Sequence, residues 1–242
     1  MTDRARSFGQ AAASYDQVRP RYPRELLARM LPTEPGVVVD CGAGTGILTA
    51  ALTALGHDVI AVDPDPRMLD QLRATLPGIT ALEGRAESIP LGDASARAVV
   101  LGQAWHWVDV EAASREIDRV LEPGGSLLLL WNIRDEAVPW VRELTGVMQR
   151  SPAEDLLRGE GPRVAAPFAQ EAVATQAWER SIAPDELREL VRSRSNYLVA
   201  GLSERARVDA RVEELLASHP DLRGRARIEL PYRTYAFRYR RA

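Results

Sequence analysis

The sequence predicts an α/β fold: a doubly wound, mostly parallel sheet of seven strands, the last one antiparallel, with helices on both faces. Three observations lead there. From about Tyr22 to Trp131 strand-like and helix-like segments alternate, the pattern of parallel β-α-β units. Val37–Cys41 is an apolar run of the kind buried on both sheet faces. Two later strand-like stretches, Thr175–Ile182 and Arg227–Tyr239, raise the strand count from five to seven.

Taken in order, Pro23–Leu31 reads as a helix, Val37–Cys41 as a strand and Thr45–Leu55 as a helix. Strand Asp58–Val62, helix Pro66–Leu76 and strand Ile79–Glu83 follow. After the turn-rich PLGDAS come strand Arg97–Gly102 and helix Val110–Leu121; after a PGG turn comes strand Ser126–Trp131. A helix from Asp135 to about Met148 gives way to SPAEDLLRGEGPRVAAPF, whose proline, glycine and charge suggest a surface loop or cap. Helices Pro184–Arg194 and Glu204–Ser218 precede a last strand interrupted at Pro231, a residue tolerated at a sheet edge. One domain over 1–242 is expected: an N-terminal lid and helix (1–34), a core (35–134), a helix and variable cap (135–175), and C-terminal strands and helices (176–242).

Composition removes whole classes of chemistry. The formal charge is −3, giving no global attraction to nucleic acid or anionic lipid. All 31 basic residues are arginine, so Schiff-base chemistry and a P-loop lysine are excluded; a GC-rich bacterial genome fits the same bias. Cys41 is the single cysteine, and His57, His106 and His219 fit no metal-ligand spacing, so no metal is expected. The first ten residues carry no apolar segment, and the greasiest run, Leu127–Trp131, is too short to span a bilayer. A soluble cytoplasmic protein is the expectation, with no membrane and no nucleic-acid partner; the oligomeric state is not readable.

The chemistry starts in VVVDCGAGTG. Glycines directly after a buried strand let the backbone turn tightly and approach a ligand, at the positive end of the next helix. A dinucleotide loop wants glycines at its first, third and sixth positions. Here Gly42, Gly44 and Gly46 take the first, third and fifth, Ile47 holds the sixth, and Asp40 precedes them. That acid would repel a pyrophosphate but can accept from an ammonium group. Asp63, about 20 residues after the first glycine, suits a ribose diol.

The spaced D-x-G-x-G-x-G resembles motif I of the class I S-adenosylmethionine-dependent methyltransferases, which implies a Rossmann-like fold and S-adenosylmethionine as cofactor. Ala43 falls within that loop. PDPRML resembles the family's D-x-x-x-x-M-L, implying Met68 as an adenine wall, and EGRAESIPL resembles its G-x-A-E-x-(I/L)-P, implying adenine contacts at Ala86 and Glu87. Arg85 stands where an aspartate often does, so Glu87 has a surface ion pair with Arg85 as its alternative. After the fourth strand, GQAWHWVD lacks the Asn-Pro-Pro-aromatic tetrad of nucleobase amino-methylases. It resembles type 11 small-molecule methyltransferases, including those related to trans-aconitate and juvenile-hormone-acid methyltransferases. That resemblance implies Gln103 beside the cofactor, Trp105 and Trp107 around the substrate pocket, and His106 either as a general base or as a neutral residue holding the loop. FGQAAASYDQVRPRYP resembles the N-terminal segment of the same group, implying Tyr15 and Tyr22 over the cofactor. The expected partner is a small-molecule methyl acceptor. An NAD-linked oxidoreductase would share the strand, loop and ribose acid but lacks the sixth-position glycine; an RNA-directed protein would use the aromatic and basic ending YRTYAFRYRR.

Overall fold

The computed structural model describes residues 19–34 and 36–242. Its element order is α1 (Arg24–Met30), β1 (Val37–Cys41), α2 (Ile47–Ala54), β2 (Asp58–Asp63), α3 (Pro66–Thr75), β3 (Thr80–Glu83), β4 (Ala96–Gly102), α4 (Val110–Val120), β5 (Leu121–Arg134), α5 (Pro139–Met148), α6 (Pro152–Arg158), β6 (Phe168–Ile182), α7 (Pro184–Arg192), α8 (Ser195–Val199), α9 (Leu202–Ser218) and β7 (Ile228–Arg241). A short 3₁₀ turn, Trp105–Trp107, lies between β4 and α4.

Seven strands form one sheet in the order β3-β2-β1-β4-β5-β7-β6. Pairings among β1 to β5 are parallel, and β7 runs antiparallel to both β5 and β6. The chain therefore reverses its winding between β1 and β4, and the carboxyl ends of those strands open the crevice where ligands bind in such sheets.

Alternate residues of each strand face opposite layers. On one side Val39, Val99, Leu101, Leu127 and Leu129 pack against Ile117 and Ala113 of α4 and Ala153 of α6. On the other, Val38, Val100, Leu128 and Leu130 meet Leu26 and Leu27 of α1 and Leu48 and Leu52 of α2. A separate apolar cluster joins α5, α7 and α9 to the start of β7, through Trp140, Leu144, Leu187, Leu190, Leu215 and Tyr232. Helix α3 starts cleanly because Pro66 occupies its first turn and the Asp65 side chain accepts from Arg67 N at 3.0 Å.

Three expectations need correction. The stretch expected to be a loop contains α6, which begins in a capping box: Ser151 N donates to Glu154 Oε2 at 2.7 Å and Glu154 N to Ser151 Oγ at 3.4 Å. Strand β6 starts at Phe168 rather than Thr175, because β7 supplies partners along its full length, Phe168 opposite Arg241 through Ile182 opposite Ile228; pairing overrides the weak strand propensity of the alanine-rich Phe168–Ala174. Strand β7 is continuous through Pro231 and interior, with β6 at the edge. Pro231 is accommodated because β5 pairs only as far as Tyr232, and the Pro231 carbonyl accepts from Asp135 N at 2.9 Å. The N–H and C=O of an antiparallel residue face the same neighbour, so the donor that proline lacks would point where that pairing has already ended.

Candidate functional site

A cleft of about 270 Å³ opens at the carboxyl ends of β1, β2, β4 and β5. Its floor is the glycine loop. Gly42 (φ +77°) and Gly44 (φ +56°) adopt the left-handed backbone that favours glycine. A Cβ on Gly42 would lie 2.7 Å from the Ala104 Cβ, whereas one on Gly44 would meet nothing within 4 Å. Gly42 is thus required by close chain approach, and Gly44 leaves bare backbone facing the cleft. Gly46 (φ +92°) does not line the cleft; its Cβ would come 3.0 Å from Leu72 and Leu76, so it serves the packing of α2 on α3.

Asp63 is held by two backbone donors, Gly44 N to Oδ2 at 2.8 Å and Asp65 N to Oδ1 at 2.9 Å. Burial pushes its carboxyl above the ordinary value, and the two N–H groups oppose that. Asp40 lies behind the loop, 1% exposed and outside the cleft lining. Its Oδ2 accepts from the Thr49 hydroxyl at 2.6 Å, and its Oδ1 has no partner among the described residues. Burial first, and the Asp63 charge in addition, push Asp40 to about 7, against the Thr49 hydrogen bond. Cys41 is buried and its thiol is pushed far up by burial, so it offers no thiolate at neutral pH.

Met68, Ala86 and Glu87 line the same cleft. Glu87 Oε1 accepts from Asp109 N at 2.9 Å, while Arg85 Nε is 4.0 Å from Oε2. The main bond of Glu87 therefore ties it to the segment after β4 rather than to Arg85. In that segment Gln103 has φ +58° and donates from Nε2 to the Asn132 carbonyl at 2.8 Å. Gly102 is set by Tyr22, whose hydroxyl would be 2.5 Å from a Cβ there. Tyr15 lies outside the described residues.

The two tryptophans part company. Trp107 lines the cleft, with its ring 4.7 Å from that of His106. Trp105, expected in the pocket wall, is 2% exposed and donates from Nε1 to the Arg163 carbonyl at 2.9 Å. The 3₁₀ turn sends it into the core, because at three residues per turn positions 105 and 107 project in different directions. His106 lines the cleft, and its Nδ1 accepts from Trp131 Nε1 at 3.4 Å. Burial, with a smaller effect from Arg194, lowers it to about 4, so the ring is neutral at pH 7. A neutral imidazole accepting at Nδ1 carries its proton on Nε2.

Sequence reasoning missed the far end of the cleft, lined by Arg19, Asn132, Arg134, Glu154, Arg194 and Tyr232. Asn132 Oδ1 accepts from Thr234 Oγ1 at 2.6 Å, and its Nδ2 donates to the Arg21 carbonyl at 3.2 Å, fixing the α1 approach over the cleft. One signal was available: S-x-x-E at Ser151–Glu154 is a helix-start pattern. No group of His, Cys, Asp and Glu among the described residues could hold a metal, and no described helix is long and apolar enough to cross a membrane.

A methyltransferase-domain model, type 11, matches residues 39–129. An uncharacterized methyltransferase of Mycobacterium tuberculosis is 44% identical over 238 residues, covering 98% of this chain and 96% of the relative. An uncharacterized methyltransferase-like protein of Schizosaccharomyces pombe is 32% identical, covering 96% of this chain and 94% of the relative. Among solved structures, a candidate type II methyltransferase of Anaeromyxobacter dehalogenans aligns with a TM-score of 0.66 at 25% identity, covering 92% of this chain and 97% of that one.

Proposed function

The chain belongs to the methyltransferases, and on that premise we propose that it moves a methyl group from S-adenosylmethionine to a small-molecule acceptor carrying a carboxylate, hydroxyl or amine, by in-line displacement. The observation that carries this reading is the junction of Gly44 with Asp63, where bare backbone and an oriented carboxylate meet in one cleft.

The residues fit that donor. Asp63 keeps two carboxylate oxygens in fixed positions, the arrangement a ribose diol needs. Met68, Ala86 and Glu87 would flank the adenine. The Gly42–Gly44 backbone, Gln103 and Tyr22 would border the amino-acid end. Asp40, outside the cleft lining, would act on the donor only through the loop, which it ties to α2 by accepting from the Thr49 hydroxyl. When bound, S-adenosylmethionine supplies an electrophilic methyl on a positively charged sulfur. The protein's share is then to align the partners and exclude water, which can supply about 7 to 11 kcal/mol of the barrier. We assign residues 1–34 to a lid over the donor, 35–134 to the donor itself and 135–175 to the acceptor side.

His106 would stand beside the reacting groups. To act as a general base it must accept at Nδ1, where it already takes the Trp131 N–H, or first lose the Nε2 proton. That supports an orienting role, suited to an acceptor already ionised at neutral pH.

Trp107 gives a fluorescence report from within the cleft. Parallel titrations with S-adenosylhomocysteine and NADH should show saturable binding of the first and none of the second. Binding of NADH alone would overturn the proposal in favour of an oxidoreductase. Mass spectrometry of the purified protein would detect retained S-adenosylhomocysteine.

A further inference from the structure

Away from the glycine loop, four elements converge on one buried polar cluster. Arg134 ends β5 and Tyr232 lies directly opposite it on β7. Glu154 comes from the first turn of α6, and Arg194 follows α7. Glu154 Oε1 accepts from Arg134 at 2.6 Å and its Oε2 from Arg194 at 3.0 Å, and Glu154 and Arg134 are 3% and 5% exposed. Burial alone would raise the Glu154 carboxyl; the two guanidiniums and Ser151 outweigh it and hold it at about 2, so it is ionised throughout the physiological range.

Two guanidinium charges against one carboxylate leave a surplus of one positive charge inside a cleft, where water screens poorly. Arg19 also lines this end of the cleft, where it donates to the Ser193 carbonyl at 2.9 Å. His106, neutral, offsets nothing, and Asp40 and Asp63 belong to the glycine-loop side.

A second observation points the same way. The Tyr232 hydroxyl and Arg134 Nε, on residues 3% and 5% exposed, have no hydrogen-bond partner among the described residues. Burying a polar atom without a partner forfeits its bonds to water with nothing in return. Tyr232 is nonetheless clamped, its ring stacked on Trp178 at 5.0 Å. If Arg194 only latched α7 to Glu154, neither orphan would be explained. A ligand that brings negative charge and acceptor oxygens satisfies both.

We propose that this end of the cleft is an anion-anchoring subsite, and that the methyl acceptor is an organic acid held through a carboxylate by Arg134, Arg194 and Tyr232. The inference rests on the methyl-transfer reading and narrows it. A carboxylate matches the single surplus charge of the Arg134–Glu154–Arg194 cluster, whereas a phosphate dianion would leave the cluster net negative. A planar carboxylate also accepts from a guanidinium fork and a phenol in the way water-poor sites reward. Neutral acceptors of the same shape would leave the surplus charge and both orphans unsatisfied, which is how such sites reject them.

The test uses the full chain, with hexanoate and phenylacetate, their primary amides, and inorganic phosphate as probes, read by tryptophan fluorescence and thermal shift with and without saturating S-adenosylhomocysteine. Both acids should bind at up to millimolar concentration, and the amides and phosphate should not. Tyr232→Phe should weaken acid binding about tenfold. Arg194→Met, which leaves the Arg134–Glu154 pair neutral and intact, should weaken it about a hundredfold. Both variants should keep wild-type affinity for S-adenosylhomocysteine. Amides or phosphate binding as well as the acids, no acid binding, or wild-type acid affinity in Tyr232→Phe would each overturn the anchor. Acid binding without S-adenosylhomocysteine binding would sink the donor assignment and leave the anchor standing; the reverse result would sink the anchor alone.

Discussion

Gly44 N donates to Asp63 Oδ2 across 2.8 Å, fastening the loop after β1 to the end of β2. Together with the Asp65 N–H, this contact fixes both carboxylate oxygens before any ligand arrives. Asp63→Asn keeps the shape but puts an NH₂ opposite one of two backbone donors. Calorimetry should show S-adenosylhomocysteine affinity falling about a hundredfold, since one loop contact and one ribose acceptor are lost together. Undiminished affinity in Asp63→Asn or Asp63→Ala would refute the assignment of Asp63.

The two cleft glycines separate folding from binding. Gly42→Ala meets both an unfavourable φ and the Ala104 Cβ, so its melting temperature should fall by the equivalent of about 2–3 kcal/mol. Gly44→Ala meets only the unfavourable φ, about 1 kcal/mol, and its methyl projects into open cleft. It should fold nearly normally and bind S-adenosylhomocysteine weakly. Equal stability loss in the two variants would show that the loop is not packed as described.

Stability against pH carries two opposing contributions. Unfolded, Asp40 ionises at 3.8 and His106 at 6.5; folded, Asp40 is raised to about 7 and His106 lowered to about 4, in both cases chiefly by burial. Between pH 4 and 6.5 the unfolded chain holds its proton on His106 and the native chain holds its own on Asp40, so these two contributions cancel in the wild type. Asp40→Asn leaves the histidine contribution, and stability relative to wild type should rise with pH through that window. His106→Gln leaves the aspartate contribution, and relative stability should fall. Denaturant midpoints across the pH range measure both slopes; parallel profiles in all three proteins would contradict the assigned protonation states.

Activity should separate the two roles of His106. With an orienting histidine, His106→Gln should lower kcat/KM for an acid acceptor about tenfold without changing the shape of its pH profile. Loss in His106→Gln of a limb near pH 4, where His106 titrates in the folded chain, would establish a general base.

Much of the glycine-loop side of the cleft was legible in the sequence, because β-α units carry their loops to one edge of the sheet by construction. Gly42, Gly44, Asp63, Met68, Ala86, Glu87, Gln103 and His106 follow strand ends and converge in one cleft. Asp40 and Gly46 belong to the same motif but serve from behind it, a distinction that spacing does not carry. Trp105 and Trp107 are two residues apart in sequence, and only the 3₁₀ turn determines which one meets the cleft.

Sequence by itself determined the five parallel strands and the glycine loop, since periodicity and turn chemistry are local properties of the chain. Tertiary structure alone decided the far end of the cleft. Arg134, Glu154, Arg194 and Tyr232 lie on separate elements, with Arg134 and Tyr232 98 positions apart in the numbering yet directly opposite across a strand pair. Their meaning lies in burial, in the count of charges within a few ångströms and in which polar atoms are left without partners. Each of these is a property of packing that no local pattern encodes.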